Sequence, residues 1–164
     1  IYGSKGRESA GVMDLSAEVP EEEYLFPIGK ALKKRGGNSL TIISTHLTLY
    51  RCLAAAEELK NEGIECEVID PVSLLPLDTK TIYESVNKTG KALIAHEDTF
   101  TGGWGAEVAA LISQNCFSKL KAPVQRIAAY DVPLPVTPVL EQTVVPSIER
   151  IKEKIRQLHK MELK

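Results

Sequence analysis

Four short apolar runs, each followed by a stretch of helical spacing, constrain this chain more than anything else in it. Leu40 to Ser44 is a compact β-branched run after the Gly36-Gly37-Asn38 turn. From Thr45 a helix follows, with Leu49, Leu53, Ala56 and Leu59 or Lys60 at helical spacing and Gly63 as its cap. Ile64 to Asp70 reads as the second strand, and Pro71 to Pro76 leads to a short helix capped by Asp78, running through Lys88 and stopped by Gly90. The third run, Ala92 to Ala95, opens through a glycine-rich loop into an Ala-rich helix from about Gly105 to about Leu120. Pro123 introduces a strand from Val124 to Tyr130, and a proline-marked loop covers Asp131 to Val145. Pro146 to about Lys160 is the last helix, with Pro146 in its first turn and Ile148, Ile151, Ile155 and Leu158 along one face. Such alternation predicts an α/β fold: a largely parallel sheet covered by helices on both faces, joined by right-handed crossovers.

A chain of 164 residues, 43% hydrophobic, is long enough for one domain with a core and too short for two ordinary ones. Ile1 to Glu18 mixes glycine, serine and charge without periodicity, so residues 1–30 read as a flexible lead-in and linker, 31–160 as the folded domain and 161–164 as a tail. Within the linker, Glu18 to Lys30 carries two prolines and a glycine and is expected to drape over the body. Because the chain opens on Ile1, a fragment or processed piece is expected, with part of the function outside it. Net charge is −2, from 20 basic and 22 acidic residues spread throughout, so no basic face announces nucleic acid. No apolar run approaches the length of a membrane span. Cys52, Cys66 and Cys116 sit in apolar patterns without CxxC spacing and read as reduced core residues rather than metal ligands, which points to an intracellular protein.

The stretch from Lys91 to Leu111 concentrates the residues with chemical potential. Its loop carries His96, Glu97, Asp98, Thr99 and Thr101, then Gly102, Gly103, Trp104 and Gly105. Glycines admit close backbone approach, and a following helix N-terminus favours negative charge. Glu97 and Asp98 argue against a bound phosphate, so a packing or interface turn is the stronger reading. GGxG is also a weak motif and not the dinucleotide fingerprint. His96 and Glu97 are sequence neighbours, but strand alternation sends neighbours to opposite faces, so adjacency implies no His/carboxylate pair. His46 stands at the mouth of the first strand beside Thr45 and Thr48, where a capping or surface role outweighs a functional one. Trp104 reads more readily as a hydrophobic plug than as a ligand platform. His159 belongs to a charged helix, and neither GxSxG nor HExxH occurs. The residues alone show no complete catalytic apparatus.

Three segments carry a resemblance: GIECEVIDPVSLLPLD (Gly63 to Asp78), SVNKTGKALIAHEDTFTGGWGAEVAA (Ser85 to Ala110) and APVQRIAAYDVPLP (Ala122 to Pro135). Together with EVPEEEYLFPIGKA (Glu18 to Ala31), they resemble the C-terminal domain of 2-oxoacid dehydrogenase β subunits, in order, from about Glu18 to Ile155. The resemblance implies a transketolase C-terminal fold, three-layer α/β/α, with a mostly parallel five-stranded sheet and one antiparallel strand. In that family thiamine diphosphate and Mg²⁺ bind between an α subunit and the β subunit's N-terminal domain, which brings the activating glutamate. Nothing here matches that glutamate, so no cofactor is expected in this chain alone. The resemblance implies instead an assembly role, with a second copy, the α subunit, the N-terminal domain and the acyltransferase core as partners. Glu97, Thr101, Gly102, Gly103, Gly105, Glu107, Asp131, Pro133 and Pro135 match the family's motifs, and with His96, Asp98 and Trp104 they are the interface or loop candidates. The chain departs from the family at Pro71-Val72, where relatives usually read Leu-Arg, and at His46, where they commonly have a small residue. The family's setting implies the cytoplasm, or the mitochondrial matrix in a eukaryote. Two other readings stay open: a separately encoded C-terminal section of a transketolase-like enzyme, and a small anion or nucleotide binder.

Overall fold

A computed structural model describes residues 21–163. The flexible reading of Ile1 to Glu18 lies outside the described residues. From residue 21 to Lys30 the chain forms no helix or strand, residues 21–28 are exposed, and only its end is tied to the body. The Gly29 amide donates to Ser73 Oγ (3.2 Å), and the Ala31 amide donates to Asp78 Oδ2 (3.0 Å).

Five strands form one sheet: β1 (Leu32–Arg35), β2 (Leu40–Ser44), β3 (Cys66–Asp70), β4 (Ala92–Thr99) and β5 (Gln125–Ala129), in the order β1-β3-β2-β4-β5. β2 runs parallel to both β3 and β4, and β4 parallel to β5, while β1 pairs antiparallel with β3. Alternation along the strands sorts side chains into two cores. Leu40, Ile42, Val68, Leu93 and Ala95 pack against α1 (His46–Lys60) and α5 (Ile148–Lys160), through Leu49, Cys52, Ala56, Leu59, Ile151, Ile155 and Leu158. Ile43, Ala92 and Ile94 pack against α2 (Thr79–Thr89) and α3 (Trp104–Cys116), through Ile82, Val86, Val108 and Ile112. Two cores on opposite faces make three layers, the architecture that the alternation and the resemblance imply. Each fully buried Leu or Ile among these stabilises the fold by roughly 1.5–3 kcal/mol.

Local chemistry sets the ends of the elements. Gly63 adopts φ +77°, its amide donates to Lys60 O and the next amide, Ile64, donates back to Leu59 O. That pair of bonds is a Schellman closure of α1, and Gly63 is its left-handed residue. Asp78 caps α2 by accepting from the Thr81 amide (3.1 Å), and Gly90 closes it at φ +76°. Cys52, Cys66 and Cys116 are free and buried, and burial pushes the Cys52 and Cys66 thiols up to about 12.

The structure corrects the sequence reading at four places. β1, with the sequence LKKR, lacks apolar alternation and was not legible as a strand. It is held by backbone pairing to β3, by Arg35 donating to Cys66 O and Glu65 Oε2 (both 2.8 Å), and by the ion pair from Lys33 to the buried Glu67, which Lys88 of α2 also reaches. Burial would raise the Glu67 carboxyl, but hydrogen bonds from Lys88, Ser85 and Lys33 outweigh it and hold it below the usual range. Next, α4 (Pro138–Val144) interrupts the expected loop. Pro138 stands in its first turn, while only Val144 is buried, so no apolar stripe marks it. Pro146 lies outside α5, because Ser147 supplies the cap that a proline cannot, accepting from the Arg150 amide (3.2 Å). Finally, β4 continues past Ala95 to Thr99 through an irregularity in its pairing with β5, so His96, Glu97 and Asp98 are strand residues rather than loop residues.

Candidate functional site

The site candidates gather at the carboxyl ends of β4 and β5, where α/β sheets usually present their ligand- and partner-facing loops. Alternation sends His96 to the α3 side and Glu97 to the α1 side. His96 is fully buried beside Trp104, ring centroids 5.2 Å apart, and Glu97 is exposed and accepts from Thr48 Oγ1 (3.2 Å). The two are neighbours without being a pair.

His96 determines why glycines follow it. A side chain on Gly103 would collide with Thr99 O and lie 2.7 Å from His96 Cε1, and one on Gly105 would strike His96 Nε2. Gly103 has an ordinary φ of −67°, and the left-handed residue is Gly102, at +77°. Gly103 is required for close approach instead. Neither ring nitrogen of His96 makes a hydrogen bond of ordinary geometry. Burial lowers its proton affinity; Asp98 opposes this and Arg126 adds to it. The imidazole is therefore held neutral beneath the loop. Trp104 is half-buried against the α2/α3 core, so much of its surface serves as the plug that the sequence suggests.

A second clasp joins the loop to the segment after β5. The Thr101 amide donates to Asp131 Oδ1 (2.8 Å) and Thr101 Oγ1 donates to Asp131 Oδ2 (2.7 Å). These two bonds, the backbone one first, hold the Asp131 carboxyl below the usual range. Thr99 Oγ1 donates to Thr101 O (2.9 Å) and the Phe100 amide donates to Ala129 O (3.1 Å), so the loop is tied at several points. A depression of about 570 Å³ lies between Thr99, Thr101, Asp131, Val132 and Pro133.

Beyond the clasp, the chain turns strongly apolar outward. Val136 is 93% exposed, Val139 75%, Leu134 59% and Leu140 54%, with Tyr130 and Val132 also exposed. Pro133 is exposed and Pro135 half-exposed within the same segment. The sequence reading singled out the prolines here and missed the apolar residues between them, which no strand or helix period flags. Of the remaining candidates, Asp98, Gly102 and Glu107 are exposed around the loop, and Gly105 is buried under it. His46 is exposed with φ +50° at the start of α1 and joins none of these contacts.

The donor set does not fit thiamine diphosphate or its metal. Exposed Asp98 has its carboxylate beside Gly103 at the N-terminus of α3, where a diphosphate would have to sit, and among the described residues no three His, Cys, Asp or Glu side chains are placed to hold a metal ion. No described helix is long and apolar enough to cross a membrane.

Comparison with known proteins follows the same line. The family model of the transketolase C-terminal domain matches residues 29–151. The chain is 39% identical to 2-oxoisovalerate dehydrogenase subunit beta of Bacillus subtilis, over 96% of this chain and 53% of that one. It is 38% identical to pyruvate dehydrogenase E1 component subunit beta of Rickettsia felis, over 87% of this chain and 44% of that one. The chain thus spans about half the length of the curated relatives it matches. A solved split gene transketolase, an inactive beta4 tetramer, superposes with a TM-score of 0.74 at 25% identity, over 90% of this chain and 48% of that one. With the sheet order, the two cores and the matched residues in agreement, this chain belongs to the transketolase C-terminal domain family.

Proposed function

We propose that the chain is the C-terminal domain of a 2-oxoacid dehydrogenase β subunit and serves as its assembly domain, joining a second copy and helping to dock the acyltransferase core. The carrying observation is the exposed apolar run Val132, Leu134, Val136, Val139 and Leu140, anchored by the Thr101–Asp131 clasp to a glycine-rich loop with little side chain in the way. Contiguous exposed apolar surface on a folded domain marks a contact site; prolines at 133 and 135 keep the first part of the segment extended at small entropic cost, and Pro138 starts the helix that carries Val139 and Leu140. The depression beside Val132 and Pro133 offers a seat for a partner's side chain. In the parent enzyme, thiamine diphosphate with Mg²⁺ would supply the decarboxylation chemistry, held by the α subunit and the preceding half of the β subunit. The higher identity to dehydrogenase β subunits than to the split transketolase favours this reading over a separately encoded transketolase section.

Sedimentation over a concentration series tests it. The wild-type chain should self-associate, and Val136→Glu should weaken the dimer by about 2 kcal/mol or more if the valine is central. Val136 is almost wholly exposed, so the substitution should leave the monomer's melting temperature nearly unchanged. A wild-type chain that stays monomeric at high concentration overturns self-association by this domain alone. The same samples, titrated with thiamine diphosphate and Mg²⁺ in a calorimeter, should show no tight binding; micromolar affinity would contradict the assignment of the cofactor to other chains.

A further inference from the structure

Along the outer side of β5, bordering the start of the apolar segment at Tyr130 and Asp131, a groove of about 480 Å³ opens between the strand and α5. Three cations line it: Arg126 from β5, and Arg150 and Lys154 from successive turns of α5. All three are half-buried, and none has a carboxylate oxygen within ion-pair distance among the described residues. This contrasts with α5's other face, where Lys152 and Arg156 pair with Glu58 and Glu62. Two acids share the lining, Asp131, whose oxygens are oriented by Thr101, and exposed Glu153, which accepts a long bond (3.4 Å) from Gln157, so the three cations leave an excess of one positive charge.

The guanidiniums are also held in place before any ligand arrives. Arg126 lies 4.1 Å over the Phe100 ring and donates to Phe100 O (2.8 Å). Arg150 lies 4.4 Å over the Tyr130 ring and donates to Val145 O (3.2 Å) and, more weakly, to Ala128 O (3.5 Å). Stacking and carbonyl bonds fix the planes of both groups and leave N–H donors unspent, so an incoming oxyanion would meet little entropic cost of ordering them. Partly buried cations that outnumber the acids beside them, with no carboxylate in ion-pair contact, leave a net positive potential for a ligand to satisfy.

We propose that this groove is an oxyanion-binding site for a small ligand carrying at least two negative charges, phosphate or carboxylate, recognised by Arg126, Arg150 and Lys154. Its volume falls within the range of small-molecule sites, about 300–1,000 Å³. An acidic peptide adding as a strand fits less well, because Arg150 reaches across the edge to Ala128 O and the Tyr130 amide, just past the strand, is taken by Val144 O. The site does not depend on the assembly reading.

The test is calorimetric titration of the full chain at constant ionic strength with pyrophosphate, citrate and hexaglutamate separately. Wild type, Lys154→Gln, Arg126→Gln and the distant control Lys119→Gln are compared. Pyrophosphate or citrate should bind saturably at submillimolar concentration, about tenfold or more weaker in Lys154→Gln and Arg126→Gln and unchanged in Lys119→Gln. Saturation by one of the two identifies the ligand as phosphate- or carboxylate-bearing. Lys154 makes no bond that the fold depends on, so its variant remains informative if Arg126→Gln unfolds. Absence of saturation, equal weakening by Lys119→Gln, or tighter binding of hexaglutamate than of either small anion would overturn the proposal.

Discussion

His96 shows how one buried residue dictates its surroundings. Its ring fills the space beneath the loop, so Gly103→Ala and Gly105→Ala insert a methyl against a backbone carbonyl or an imidazole that cannot retreat. Each should cost about 1–3 kcal/mol in urea unfolding, by overpacking rather than by backbone strain. An unchanged unfolding midpoint would show that the loop shifts freely. The same ring gives a pH prediction with a definite sign. Its folded-state proton affinity lies below the ordinary value of about 6.5, so the unfolded chain binds the proton more readily. The neutral ring's contribution is present above about pH 6.5 and is lost as pH falls through and below that value. Unfolding midpoints measured at intervals from pH 7.5 down to 5 should fall more steeply for wild type than for His96→Leu, which has nothing to protonate. Equal slopes would mean that His96 is not held neutral. The sequence placed His96 in the loop just past the third apolar run and saw the glycines, but not that the glycines exist because of the histidine. That relation is tertiary, and no spacing encodes it.

The β4–β5 pair with its two loops is held by Asp131. Asp131→Ala removes both bonds to Thr101 while leaving the apolar core untouched. Amide exchange at Thr101 should accelerate markedly, dimerisation should weaken, and the melting temperature should move little. A large fall in melting temperature would place the clasp in the stability of the whole domain instead. At this scale, legibility followed burial pattern. β2, β3, α1, α2 and α5 carry apolar periods or caps such as Asp78 and Gly90, and the sequence located them to within a few residues. β1 and α4 expose most of their side chains, so their existence rests on pairing to β3 and on Pro138, neither of which produces a hydrophobic period.

At the scale of the molecule, strand and helix alternation was sufficient for a three-layer α/β fold, and the resemblance supplied the antiparallel edge strand. The candidate site was legible as a region but not in its mechanism of contact. The loop, Asp131, Pro133 and Pro135 were visible as motif positions, whereas the apolar residues at 132, 134, 136, 139 and 140 became notable only once the fold left them outside the core. Through that surface, we propose, copies of this domain meet. Hydrogen exchange at low and high protein concentration locates such a contact directly, because only amides at the interface gain protection as the dimer forms. Concentration-dependent protection is expected at Thr101 to Gly105 and across Tyr130 to Leu140, with α1 and the outer face of α5 unchanged. Protection confined to other elements, or none at concentrations where the chain is dimeric, would contradict it.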